Sequence, residues 1–312
     1  MILPAKICGR GRYTKLESFL DNKIQKVNLP SLLLFFIVAF FIGINFHTSF
    51  TILPIYITQL GGNELHSGIQ STVFLLTAVV LRFYFGPLAD RKGVKVPLLV
   101  SAFVFCTSPL LFLSCQSVRS VILVRIYQAT GLASFFSSAS AYVSEIAPAG
   151  KLGIYIGVYR LVITSTLLIG PFMAIWVINS LSMQIWLLIS FLMGLSAFIS
   201  MFFVKTSLVS KENEEPISLK CMCGILQEKR LRVIYMGFAL ISFSFGTLLT
   251  FVTVYIAKVA EINNEGIYFT YFALASIVAN LSAGYLSDKY GRKVIVWPAI
   301  MMLGIGVGSL VF

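Results

Sequence analysis

GPLADRKG, Gly86 to Gly93, lies between two long apolar segments and packs one carboxylate, two cations and two glycines into eight residues. GYLSDKYG, Gly284 to Gly291, repeats the arrangement 198 positions later. Charge this concentrated between greasy flanks is expected where a chain leaves an apolar medium, turns and re-enters it. The turn needs unusual backbone, and Gly86 and Gly93 are expected to supply it through positive φ, which glycine adopts without a Cβ clash.

The flanks identify the medium. The 312 residues are 58% hydrophobic and 12% charged, with a mean hydropathy of +0.90, outside the range of ordinary soluble domains. At 1.5 Å rise, about 20 apolar residues cross a hydrocarbon core of about 30 Å. Nine windows qualify: 31–59, 67–88, 96–114, 119–143, 153–179, 183–204, 232–257, 267–287 and 294–312. The expected fold class is an all-α integral membrane protein. Pro54, Pro109 and the pair Gly170, Pro171 fall inside windows, which is acceptable where neighbouring helices satisfy the freed backbone groups.

The cations orient the chain. With the N-terminal tail in the cytoplasm, 19 of the 24 Lys and Arg residues fall on that side. Arg119 and Lys258 fall outside, and Arg82, Arg125 and Arg160 lie within spans. This is the positive-inside distribution, so the chain is expected in the inner (plasma) membrane, multi-pass, with its N-terminus cytoplasmic. The basic tail is too long for a signal peptide and no small-residue cleavage pattern follows its apolar run, so it is read as retained. The formal charge of +12 is suited to anionic lipid headgroups in the bilayer, and no nucleic-acid partner is expected. Five scattered cysteines argue against a disulfide framework. The pair Cys221 and Cys223 has no further ligands nearby, so neither a metal nor a cofactor is expected.

Both charged hinges follow even-numbered windows on the cytoplasmic side, and the longest polar stretch lies between them. The organisation read from this is a basic tail (1–30), a six-helix N-terminal half (31–204), a central cytoplasmic loop (205–231) and an incomplete C-terminal half of about three helices (232–312). Parallel repeats around a midplane cavity are a transporter architecture.

The hinge pattern G-x-L-x-D-[RK]-x-G-[RK]-[RK] resembles the signature motif of the major facilitator superfamily. The second copy matches at Gly284, Leu286, Asp288, Lys289, Gly291, Arg292 and Lys293. The first matches at Gly86, Leu88, Asp90, Arg91, Gly93 and Lys95, with Val94 replacing a cation. In the fourth window RIYQATG is similar to the family's R-x-x-Q-G-x-G through Arg125, Gln128 and Gly131, with Ala129 for the first glycine. In the fifth, GPFMAI is similar to the G-P-x-x-G-G of exporters through Gly170 and Pro171, with Ala174 and Ile175 for the last glycines. Residues 50–204 resemble bacterial multidrug or sugar efflux members.

The resemblance implies a gate in which Asp90 and Asp288 dock on helix N-termini of the opposite half, Asp288 near Gly150 to Gly153 and Asp90 on an eleventh helix. It also implies twelve helices, so a chain ending at Phe312 within the ninth window is expected to be a truncated form. The function expected is secondary active transport of a small molecule (drug, sugar or organic anion), most simply by an ion-gradient-driven exporter or antiporter. The alternative is a non-transporting facilitator remnant or membrane sensor. An enzyme is not expected, since no convergent carboxylates, His and Cys cluster or phosphate-binding loop are present.

Within the windows no Asp or Glu reaches mid-span. The candidate substrate or proton path is therefore Arg125, Gln128, Arg160, His47 and Asn45. A membrane-embedded arginine is costly and generally faces a cavity or partner, although Arg160 lies near enough to the cytoplasmic end to snorkel. His47, with an ordinary pKa near 6.5, is open to two roles, proton carrier or hydrogen-bonded neighbour of the helix. Gln70, Tyr127, Tyr159, Trp176, Phe243 and Asn280 are candidate cavity-lining residues or packing and interface anchors.

Overall fold

The computed structural model describes residues 29–148, 150–206 and 266–291, with isolated positions 232, 235–237, 239, 240, 298, 301, 302, 304 and 305. The basic tail, most of the central loop, most of the seventh and ninth windows, Phe243, Arg292, Lys293, Cys221 and Cys223 lie outside the described residues. Among the described residues the long helices are α1 Leu29–Gln59, α2 Glu64–Lys92, α3 Lys95–Leu113, α4 Val118–Ile146, α5 Leu152–Ser180, α6 Met183–Phe203 and α7 Gly266–Tyr290.

Contacts divide the chain into one unit of Gln25–Glu214 with Ala273–Tyr285, and another of Met1–Ile24, Glu215–Phe272 and Leu286–Phe312. In the second unit the described residues are the two ends of α7, Gly291 and the isolated helical positions. In the first, α1 to α6 form an up-and-down bundle. α2 packs along α4, α4 along α3, α3 along α6, and α1 along both α5 and α6.

Five of these helices, including all of α1, α3, α5 and α6, are long and apolar enough to span a bilayer. The fourth window is a helix of 29 residues that falls outside this set among the described residues. Its polar residues are turned inward: Arg125, Gln128, Ser134 and Ser138 are all buried. Large apolar side chains such as Leu76, Val80, Phe83, Phe172 and Leu192 are exposed instead. That inversion suits lipid, where apolar side chains gain little by clustering and packing and polar contacts hold helices together.

Two apolar clusters lie toward the ends of the bundle. One gathers Phe35, Ala139, Tyr142, Tyr159 and Met201; the other gathers Leu53, Ile57, Phe112, Val177 and Trp186. Between them along α1, α4 and α6 fall the buried polar residues Asn45, Ser49, Arg125, Gln128 and Ser190.

The ends are tied differently. At one end Tyr56 donates to the carbonyls of Phe112 (3.1 Å) and Cys115 (3.0 Å), joining the last turns of α1 and α3. Helices starting there carry side-chain caps: Asn63 Oδ1 accepts from the amide of His66, Ser117 Oγ from that of Ser120, and Ser182 Oγ from that of Ile185. At the other end Lys95 Nζ donates to the carbonyl of Phe202 (3.4 Å). Tyr142 donates to the carbonyl of Lys205, and Ser31 Oγ accepts from the Lys205 amide. Here α3 and α5 begin without a side-chain cap, after Val94 and Lys151.

The hinge itself departs from expectation. α2 continues as helix through Gly86, Pro87 and Asp90 to Lys92, and α7 continues through Gly284 to Tyr290. Gly86 therefore has helical backbone, the reversal of the first copy is made by Gly93 (φ +77°), and in the second copy Gly291 carries the positive φ (+83°). Pro87 lies inside α2, where it withholds one N–H from the ladder, and Arg91 and Lys92 in the last turn complement the helix dipole. Gly93, with ψ 166°, sits in a region only glycine populates freely. Gly93→Ala is expected to lower stability by about 1–3 kcal/mol. Gly86→Ala, where an added Cβ meets nothing within 4 Å, should be neutral or slightly stabilising by helix propensity. Thermal unfolding of the two variants in detergent checks this, and equal losses would contradict it.

Candidate functional site

The polar layer is organised by one side chain. Arg125, on α4 and 0% exposed, donates from Nε to Oε1 of Gln70 on α2 (2.5 Å) and from Nη1 to Oε1 of Gln128 one turn on (2.7 Å). Gln128 Nε2 donates to Ser49 Oγ on α1 (3.1 Å), and Ser49 donates to the Asn45 carbonyl (2.6 Å). Asn45 Nδ2 then donates to the carbonyls of Phe41 and, on α6, Ser190, each at 3.2 Å. A continuous hydrogen-bonded path thus crosses α2, α4, α1 and α6.

A buried guanidinium with neutral partners carries a large desolvation penalty. Part of it is offset by aromatic faces: the guanidinium carbon lies 4.2 Å from the Phe74 ring centroid and 5.1 Å from that of Phe50. Its remaining terminal nitrogen, Nη2, has no hydrogen-bond partner among the described residues. Gln70 is itself buried and passes its amide hydrogen to Ser71 Oγ (2.7 Å). Beside the path, Asn45, Thr48, Ser49, Gln128 and Ser190 line a small gap that is closed on its other sides by Ile52, Leu53, Pro109, Phe112 and Leu187.

A second polar contact joins α1 to α5. His47 Nδ1 lies 2.8 Å from Thr166 Oγ1 and 3.1 Å from the Gly43 carbonyl. The helices approach closely there. A Cβ on Gly43 would come within 2.6 Å of Thr166 Oγ1, and one on Gly170 within 3.1 Å of Thr48 Cγ2. The glycine of the exporter-like motif thus sits at a helix contact, with Thr48 facing it from α1. Pro171 follows inside α5, where its missing N–H leaves one carbonyl of the preceding turn without a helical donor.

Of the sequence candidates, Arg125, Gln128 and Asn45 are brought together, His47 of α1 instead meets Thr166 of α5, and Arg160 is exposed on α5. Asp90 and Asp288 are exposed in the last turns of α2 and α7. Among the cavity-lining candidates Gln70 joins the network, Tyr127 bonds Thr107 (2.7 Å) and Asn280 donates to Thr164 of α5 (3.3 Å). Tyr159 packs within the apolar cluster, and Trp176, 62% exposed, faces outward. Ser49, Phe50, Phe74 and Thr166 were not singled out in the sequence. Ser49 was accessible through its i, i+4 spacing from Asn45, whereas Thr166 carries no local signal.

The family model described as Major Facilitator Superfamily matches residues 35–312. The chain is similar to an uncharacterized MFS-type transporter of Methanocaldococcus jannaschii, 28% identical over 234 residues that cover 74% of this chain and 56% of that relative. It is also similar to the multidrug resistance protein MdtG of Proteus mirabilis (22% identical; 88% of this chain, 70% of the relative). A multi-drug resistance efflux pump PmrA homolog of Lactococcus lactis is 27% identical over 86% of this chain and 69% of the relative. The chain thus spans between about half and seven-tenths of the length of these relatives.

Proposed function

The chain belongs to the major facilitator superfamily, and from that premise we propose that it serves as a secondary transporter exporting a small molecule at the expense of an ion gradient. It is a multi-pass membrane protein of helices. The observation that carries the reading is the buried path centred on Arg125, which links four helices through hydrogen bonds that can be remade in a second arrangement. A stability device alone would be better served by apolar packing, since a buried charge with neutral partners is a poor source of net stability.

Export is favoured over import by Gly170 and Pro171, and by the efflux proteins among the relatives. In this reading Arg125, Gln128 and Asn45 lie on the substrate path, His47 takes the coupled proton, and Arg160 meets the substrate nearer the cytoplasm. The hinge residues Gly86, Leu88, Asp90, Arg91, Gly93 and Lys95, with Gly284, Asp288, Lys289, Gly291, Arg292 and Lys293, form the cytoplasmic gate. The Asp carboxylates act there by charge and hydrogen bonding to helix N-termini. The substrate is a drug, sugar or organic anion, the reaction involves no covalent chemistry, and the N-terminus faces the cytoplasm of the plasma membrane, as the 19 cations on that side support.

Inverted membrane vesicles carrying the chain, energised and offered a panel of labelled compounds, should accumulate at least one of them in a saturable, gradient-dependent way. An impermeant thiol reagent should label single cysteines placed at 60–66 from outside intact cells and leave those at 205–231 untouched. Uptake by right-side-out vesicles down the driving gradient would overturn export, and the reverse labelling pattern would overturn the orientation.

A further inference from the structure

His47 has two ring nitrogens, and which one bears the proton in the neutral form decides which one is left to act as a base. The contacts settle this. The Gly43 carbonyl can only accept, so Nδ1, 3.1 Å away, must donate to it. Thr166 gives its own hydroxyl hydrogen to the carbonyl of Ile163 (2.7 Å), which leaves its oxygen lone pairs toward Nδ1 at 2.8 Å. Both partners therefore demand Nδ1–H. A reversed arrangement, with Thr166 donating to a bare Nδ1, would set the nitrogen lone pair against the Gly43 oxygen and cost Thr166 its bond to Ile163.

We propose that Gly43 and Thr166 are positioning residues that hold neutral His47 as the Nδ1–H tautomer, so that Nε2 is the nitrogen that takes up and releases the coupled proton. This rests on the reading of His47 as the proton site. Gly43 serves twice, through its carbonyl and through the absence of a side chain, since any Cβ there would strike Thr166 Oγ1. The Phe46 ring, 4.8 Å from the imidazole centroid at 61°, restricts its rotation further. In the proposed step a proton from water adds to the Nε2 lone pair, giving the imidazolium while both Nδ1–H contacts persist. Its release on the other side restores the neutral ring with no bond to α5 broken.

The helices packed against α1 carry charge of both signs: α2 has Glu64, Asp90, Arg91 and Lys92 toward its ends and Arg82, whose guanidinium carbon lies 5.7 Å from the Phe136 ring that packs on Phe46, α3 starts with Lys95, and α4 has Arg119 and Glu145 at its ends. Arg125 on α4 is covered by Phe50 and Phe74, Arg160 on α5 is exposed, and the phenols of α5 are Tyr155 and the buried Tyr159. The tautomer is thus set by acceptor oxygens of Gly43 and Thr166 rather than by a carboxylate partner.

The chain has only two histidines, so the His66→Gln background, altered only at the α2 cap, leaves one imidazole to observe. Nitrogen-15 histidine NMR of this chain in liposomes at about pH 8.5, above the ordinary imidazole range, should show Nδ1–H. Thr166→Val should reduce the Nδ1–H to Nε2–H ratio by about fivefold, the worth of one hydrogen bond, and Thr166→Ser should restore it. In flux assays Thr166→Val should shift the pH profile while leaving KM within about twofold, and Thr166→Ser should return the profile to that of the parent. A dominant Nε2–H form in the parent, or a ratio unmoved in Thr166→Val, would overturn the positioning role whatever the flux. A His47→Gln variant whose flux keeps the parental pH profile would instead overturn the proton-site reading, with the NMR result still deciding the tautomer.

Discussion

Replacing Arg125 by alanine is expected to lower transport by at least about a hundredfold while the protein still inserts. The truncation removes the donor to two buried amide oxygens, Gln70 Oε1 and Gln128 Oε1, each of which then bears a desolvation penalty of about 1–3 kcal/mol. It also empties the space between the Phe50 and Phe74 faces. Arg125→Lys keeps the charge but not the fork that reaches both amides, so it should recover only part of the flux. Gradient-driven flux in vesicles, normalised to membrane content, is the measurement. If the alanine variant retained more than half the parental flux at equal abundance, the polar path would be packing only.

The second large effect is structural. Gly194 on α6 crosses α3 so closely that a Cβ would lie 2.6 Å from Cys106 Cα and 2.7 Å from the Phe105 carbonyl oxygen. Both are backbone atoms, so no rotamer change relieves the clash and the two helices must separate. Overpacking of this kind costs about 1–3 kcal/mol and occasionally more. For a unit of this size that corresponds to a fall of about 2–12 °C in apparent Tm. Gly194→Ala should therefore give a clear thermal loss in detergent, with Gly68→Ala, where the added carbon meets nothing within 4 Å, as the matched control. Indistinguishable melting curves for the two would show that α3 and α6 have slack at this crossing.

Much of this architecture was legible because lipid imposes coarse rules. A run such as 183–204 can only be a span, and α6 occupies Met183–Phe203. Arg125 with Gln128 could be singled out because charge in a span is expensive and the i, i+3 spacing puts both on one face. The sequence was less informative where contacts are made between helices. Nothing local to Thr166 indicates that it meets His47, 119 positions away. Arg160 had a weaker claim than Arg125, since it matches no motif and lies near the cytoplasmic end, and it is exposed on α5 while Arg125 is buried. The hinge was misread in one respect: two glycines bracket it, but helix propagation carries α2 through Gly86, so only Gly93 supplies the turn. Glycine content indicates where positive φ is permitted, and the hydrogen-bond ladder decides where it is used.

The unequal capping of the bundle has a consequence for where it opens. First-turn amides held by Asn63, Ser117 and Ser182 are each secured by about 1 kcal/mol, so fraying there is suppressed. The start of α3, after Val94, has no such side chain, and its leading amides must look to water. Deuterium should enter the backbone at the start of α3 sooner than at the starts of α2, α4 and α6, giving the bundle one end that breathes and one that stays shut, a mechanical polarity written into four residue positions.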